Sequence, residues 1–198
     1  MPTLKKLTSE IKSCRICVDR PSGTPLPHEP RPVLQVHRSA RVGVFGQAPG
    51  KRVHESGKPF TDPSGDRLRA WLDVSADEFY DDKRIAIVPM GFCFPGYNEK
   101  GADLPPRKEC AAKWREPLIE AMPNLDLCIL IGGYAQKWHL GANAKKTLTE
   151  TVAAWRDYEP KFIPTPHPSW RNNTWLKKNP WFEEDLLPVL RRRVHSLI

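Results

Sequence analysis

Four short apolar runs stand out along a mostly polar chain: Arg41 to Phe45, Ile85 to Val88, Leu127 to Ile131 and Lys161 to Pro164. Each predicts a buried strand. Between them the apolar spacing turns helical. Leu4, Leu7 and Ile11 predict a short amphipathic helix leading into Cys14, and Ser64 is placed to cap a helix with Leu68, Trp71 and Leu72 as its buried stripe. Pro105 and Pro106 open a helix through roughly Ala121, since prolines suit a first helical turn. Helices around Tyr134 to Leu140 and Lys146 to Tyr158 precede the fourth strand. Phe182 to Leu197 forms a last helix, whose Arg191, Arg192, Arg193 and His195 suit a helix C-terminus. Residues 18–40, rich in Pro and polar side chains, read as a long surface arm. Strands alternating with helices imply a parallel sheet covered on both faces. The predicted fold is α/β: a three-layer α/β/α sandwich around four parallel strands, in one domain over residues 1–198 with no linker dividing it.

Composition narrows the class of partner. A chain of 198 residues can bury a sizeable core. Its 31 Lys and Arg against 23 Asp and Glu give a net charge of +8, with a pI near 9.4. That balance favours an anionic partner, of which nucleic acid is the commonest; a merely soluble basic surface is the plainer alternative. No apolar run of about 18 residues occurs, so no membrane span is expected. The N-terminus has no signal-peptide core, which points to the cytoplasm. Five cysteines, an odd number, in such a chain argue against a disulfide framework. A monomer is expected.

Two turns carry candidate chemistry. Gly46-Gln47-Ala48-Pro49-Gly50 follows the first strand, and His167-Pro168-Ser169-Trp170-Arg171-Asn172 follows the fourth. Gly, Pro and Ser turns let backbone N–H groups approach a ligand closely. In an open α/β sheet, loops at the carboxyl ends of strands line the ligand crevice, so the two turns are expected to share one site. Cys14 and Cys17 form a C-x2-C pair, followed by Cys93 and Cys110. Two residues between thiolates let both reach one metal centre, and a later pair completes a four-thiolate site. This geometry alone suits Zn²⁺ as well as an iron–sulfur cluster. Cys128, inside an apolar strand, reads as a core residue.

Together these motifs resemble the uracil-DNA glycosylase superfamily. Residues 46–65, G-Q-A-P-G-K-R-V-H-E-S-G-K-P-F-T-D-P-S-G, resemble its iron–sulfur branch, and the His167 segment is similar to the H-P-S-P-R-N motif of the single-strand-selective monofunctional branch. The cysteine order and context resemble the four-cysteine [4Fe–4S] ligand set, which implies that cofactor over structural zinc. The resemblance implies a glycosylase that removes uracil or another deaminated base from DNA without a lyase step. His167 would donate to the base as negative charge develops on it, and the backbone around Gly46, Gln47 and Ala48 would add donors. Phe60 would stack on the flipped base. Ser169 and Arg171 suit phosphate; Trp170 or Arg171 could fill the gap left by the base; Asn172 continues a basic, aromatic stretch with Trp175, Lys177 and Lys178.

Three positions depart from the family pattern. Gln47 replaces a Glu. Ala48 stands where other branches carry the residue that positions water, so His54 and Glu55 are the candidates for water activation. Pro89 replaces an Asn that reads the base edge, which opposes strict uracil specificity. Two other functional classes follow: a non-catalytic iron–sulfur protein that detects DNA damage with the same pocket, and a redox-sensing iron–sulfur protein in which DNA binding is secondary.

Overall fold

The computed structural model describes residues 3–198. Its centre is a sheet of four parallel strands, β1 (Val42–Phe45), β2 (Ile85–Ile87), β3 (Leu127–Ile131) and β4 (Phe162–Thr165), in the order β2-β1-β3-β4. Val42 pairs with both Ile85 and Leu127, and Cys128 pairs with Phe162. Side chains alternate across a strand, and the two resulting faces each carry a core. Val42, Val44, Ile85, Ile129 and Ile163 pack on one side. Phe45, Ala86, Cys128 and Leu130 pack on the other. Apolar residues on both faces are what a covered parallel sheet requires.

The helices supply the two outer layers. In chain order they are α1 (Leu4–Lys12), α2 (Ile16–Asp19), α3 (Lys51–Ser56), α4 (Pro63–Leu72) and α5 (Ala76–Tyr80). There follow α6 (Lys108–Glu120), α7 (Gly132–Leu140), α8 (Leu148–Ala153), α9 (Asn173–Lys178) and α10 (Leu187–His195). Leu68, Trp71 and Leu72 of α4 meet Leu190 and Val194 of α10 over the first face. Leu7 and Ile11 of α1, Trp114 and Leu118 of α6 and Ala135 of α7 cover the second. The connections leaving β1 and β3 thus run to opposite faces, and a crevice opens between the carboxyl ends of these neighbouring strands. Among the described residues no helix is long and apolar enough to cross a membrane.

Several boundaries differ from the sequence expectation, each for a local reason. The cap of α4 is Asp62, not Ser64: its carboxylate accepts from the Gly65 N–H, and Pro63 takes the first helical position. Pro105 and Pro106 remain outside α6, which begins at Lys108. The expected helix over 146–158 starts at a Thr147–Glu150 capping box and tightens into a 3₁₀ turn at Trp155–Tyr158. The last helix opens as a π turn, Phe182–Leu186, just before Pro188, whose ring cannot fit a regular turn.

The arm over residues 18–40 is only partly on the surface. Leu26 and Val33 are buried, the Val33 N–H donates to Phe92 O at 2.7 Å, and Gln35 forms an antiparallel bridge with Ile87. The Gln35 side chain donates to the Phe79 and Ile85 carbonyls as well. The arm therefore covers the outer edge of β2, which would otherwise present unpaired backbone groups.

Candidate active site

The Gly46–Gly50 turn is fastened at the end of β1 by two backbone bonds, from Met90 N to Gly46 O and from Gly91 N to Gln47 O, both 2.9 Å. Its Gln47 side chain lies on Gly132 at the start of α7. A Cβ on Gly132 would sit 2.7 Å from Gln47 Nε2, and the residue has φ +77°, so glycine suits both demands. The second turn leaves β4 through Thr165 and Pro166. Asn172 braces it by donating its side-chain amide to His167 O at 2.7 Å, and Arg67 donates to Ser169 O at 3.2 Å.

These two turns, the start of α4 and the loop after β2 enclose one crevice of about 360 Å³. Gly46, Gln47, Ala48 and Phe60 line one part of it, and His167, Ser169, Trp170 and Arg171 another. Eight residues singled out from the sequence are thus brought together from three separate stretches of chain. Trp170 is the most exposed large apolar side chain described, at 70%, as a residue that meets a partner would be.

Phe60 is held under strain. Its φ is +53°, in the left-handed region that a bulky residue seldom enters. Arg69 donates to its carbonyl at 3.2 Å, and the Tyr80 hydroxyl donates to it and to Pro59 O, at 3.0 Å each. Gly65, in the first turn of α4, lies so close that a Cβ would be 1.8 Å from the Phe60 carbonyl oxygen. The Phe60 ring has one edge against Phe79 in the core while also lining the crevice.

Burial holds the half-buried His167 imidazole below its ordinary value, with Asp62 opposing the shift and Arg171 adding to it. It is therefore neutral near pH 7. Two carboxylates that sequence reasoning overlooked, Asp62 and Asp103, also line the crevice, as does Arg52. Asp103 keeps one side in solvent, yet partial burial raises its carboxyl above the usual range; Arg171 counters this and Asp62 adds to it. Its oxygen lies close to the first turn, 3.8 Å from where a Cβ on Gly50 would be. Asp103 sits on a small loop closed by the Tyr97–Asp103 bridge, within which Asn98 accepts from the Lys100 and Ala102 N–H groups. Its signal in the sequence is a lone acid before Leu104-Pro105-Pro106, which no periodicity marks.

His54 and Glu55 do not enter the crevice, which corrects the expectation that they activate water there. The His54 ring packs 4.2 Å from that of His28, and Phe94 stacks on His28. Arg31 donates to Glu55 O at 2.6 Å, while the Glu55 side chain faces solvent. This side of α3 holds the arm in place. Asn172 is likewise a brace and not part of the lining, and Trp175 packs on the core with its indole N–H bonded to Thr149. Pro89 lines the crevice and offers only its carbonyl, which accepts from Arg115 at 3.0 Å.

Away from the crevice, Cys14, Cys17, Cys93 and Cys110 line a single, otherwise largely apolar cavity between α1, α2, the loop after β2 and α6. The Trp114 indole N–H points at Cys14 Sγ (3.3 Å) and the Phe92 N–H at Cys110 Sγ (3.4 Å). Burial pushes the Cys17 thiol up to about 11 and those of Cys93 and Cys110 to about 12. A bound metal reverses that tendency by stabilising thiolates. Among the described residues no group of three or more His, Cys, Asp or Glu side chains is set to hold a single metal ion.

The family model described as the uracil DNA glycosylase superfamily matches residues 35–191. Among solved structures, similarity extends to a Methanosarcina acetivorans protein provisionally described as a uracil DNA glycosylase, with 14% identity and a TM-score of 0.49 over 81% of this chain and 94% of that one. It extends also to SMUG2 from Pedobacter heparinus, with 16% identity and a TM-score of 0.42 over 78% and 76%.

Proposed function

Because the chain belongs to the uracil DNA glycosylase superfamily, we propose that it is a monofunctional DNA glycosylase hydrolysing the N-glycosidic bond of uracil or another deaminated base. One observation carries the reading above all: His167, Phe60 and the Gly46–Gly50 turn line the same crevice. A base flipped from DNA would lie on the Phe60 ring. As the C1′–N bond breaks, its electron pair passes to the base. The His167 N–H and the amides of Gln47 and Ala48 stabilise the charge gathering on the base oxygen. Water then bonds to C1′ and gives up a proton. In this reading Asp103, which lines the crevice and whose carboxyl partial burial raises, would take it. Arg171 and Ser169 serve the flanking phosphate.

Duplex and single-stranded oligonucleotides carrying uracil, hypoxanthine or xanthine test the reading. Free base and an alkali-labile abasic site are expected from at least one of them. His167→Ala should slow release by roughly 100- to 1000-fold while DNA affinity stays nearly intact. Pro89, which has no side-chain group to read a base edge, favours a second reading as a damage-binding protein. Tight binding to such DNA without any base release would establish that reading instead.

For the four cysteines we infer a structural [4Fe–4S] cluster ligated by Cys14, Cys17, Cys93 and Cys110. When bound, it would tie the N-terminal arm to α6 and to the loop after β2. Support comes from the shared cavity and the two N–H donors aimed at sulfur. Protein purified without oxygen should hold about four irons per chain, and Cys93→Ser should lower its melting temperature. One zinc per chain with no iron would leave the four-thiol site standing and remove the cluster.

A further inference from the structure

Of the large apolar side chains described, four are exposed: Tyr97, Tyr134, Trp138 and Trp170. Trp170 belongs to the crevice. The other three line one neighbouring groove of about 1170 Å³. Tyr134 and Trp138, four residues apart on α7, share a helix face with Lys137 between them. Tyr97 stands across from them on the Asp103 loop, its ring 5.0 Å edge-on from Phe94. Trp138 is not loose: the Arg115 guanidinium lies 4.6 Å from its ring centroid, and His139 abuts it edge-on. Lys108 and Lys137 add positive charge to the lining. Its acid, Glu109, is occupied by the Ser22 hydroxyl at 2.6 Å.

The groove adjoins the crevice. Pro89 and Asp103 line the crevice while their neighbours Met90 and Leu104 line the groove, so the two share a wall. Exposed aromatic faces with basic side chains beside them suit nucleobases stacked along a phosphate backbone, irrespective of sequence. We propose that this groove binds single-stranded DNA, taking two or three unpaired bases next to the flipped nucleotide on Tyr97, Tyr134 and Trp138. The inference rests on the reading of the crevice as a base pocket, and it makes the preferred substrate a base with unpaired neighbours.

Oligothymidylate without any lesion is the probe, because its binding needs no base release. Fluorescence anisotropy should show it binding more tightly than a duplex of equal length. Tyr134→Ala should weaken oligothymidylate binding about tenfold, within the range for loss of one stacked base, and leave duplex affinity unchanged. Tyr134→Phe, which keeps the ring, should bind like wild type. Trp138→Phe should show less fluorescence quenching on binding than wild type. Equal single-strand affinity in Tyr134→Ala and wild type would overturn the proposal. So would a dimer that Tyr134→Ala dissolves without affecting DNA, which would assign the groove to a second copy of the chain. Loss of single-strand binding in Tyr134→Ala from a protein that excises no base would keep the groove and reject the glycosylase reading of the crevice.

Discussion

Asp103 is the residue on which the proposed chemistry depends most sharply. As a base it must be ionised, and burial raises its carboxyl. Turnover should therefore fall as pH drops through a value above the usual carboxylate range, which lies near 4. Asp103→Asn should lower kcat by about 100-fold or more and abolish that acid limb. Stability should move the other way. A carboxyl raised in the folded state supports the fold below its unfolded value and loses that support as pH rises through the folded one. At neutral pH the Asn variant should thus melt no lower than wild type. A variant with wild-type kcat and the same acid limb would exclude Asp103 as the base. The sequence does not single this residue out, because its role arises from a short loop folding over a turn more than 50 positions upstream. His167 and Phe60 are legible by contrast, since each lies within a run whose residue types belong together chemically.

At the scale of elements, α4 and the Phe60 turn form a single device. Asp62 caps the helix, Gly65 lets its first turn meet the Phe60 carbonyl, and Arg69 and Tyr80 hold that carbonyl from the other side. Gly65→Ala would press a methyl group into backbone that cannot yield. Overpacking of this kind costs about 1–3 kcal/mol, or a fall of roughly 2–12 °C in Tm for a chain of this size. Base capture should weaken with it, because Phe60 must shift; an unchanged Tm would show that the turn relaxes freely. The apolar stripe of α4 is plain in the sequence. Its cap is misplaced by two residues because Ser64 and Asp62 both suit the position, and only the N–H that is actually satisfied distinguishes them. His54 and Glu55 show the same limit. They follow the first turn directly, yet the direction of α3 aims them at the arm.

The whole molecule carries a net charge of +8, with Arg52 and Arg171 at the crevice and Lys108 and Lys137 at the groove beside it. DNA affinity should fall steeply with salt, the logarithm of the binding constant declining linearly with that of salt concentration as counterions are released. Arg171→Ala should make that slope shallower by about one phosphate contact. A salt-independent affinity would mean that the positive charge does not serve DNA. The balance of charge is available from composition alone, but its placement around one opening depends on how loops from distant strands meet.

The amino-acid order is enough to set the layers, because local periodicity decides them: four apolar runs too short for helices, striped segments between them, and two ligand-type turns at strand ends. It also indicated the family, through motifs that are contiguous in the chain. Tertiary structure alone decided which faces the side chains take. It turned the arm from a surface segment into the cover of an edge strand, removed His54, Glu55 and Asn172 from the lining, and brought Asp62 and Asp103 into it. It also assembled three exposed rings from two distant segments into one groove. The physical reason is common to all of these. A strand or helix is fixed by neighbours within a few residues, whereas a site is fixed by contacts between segments tens of residues apart, whose relative placement depends on the packing of the whole core.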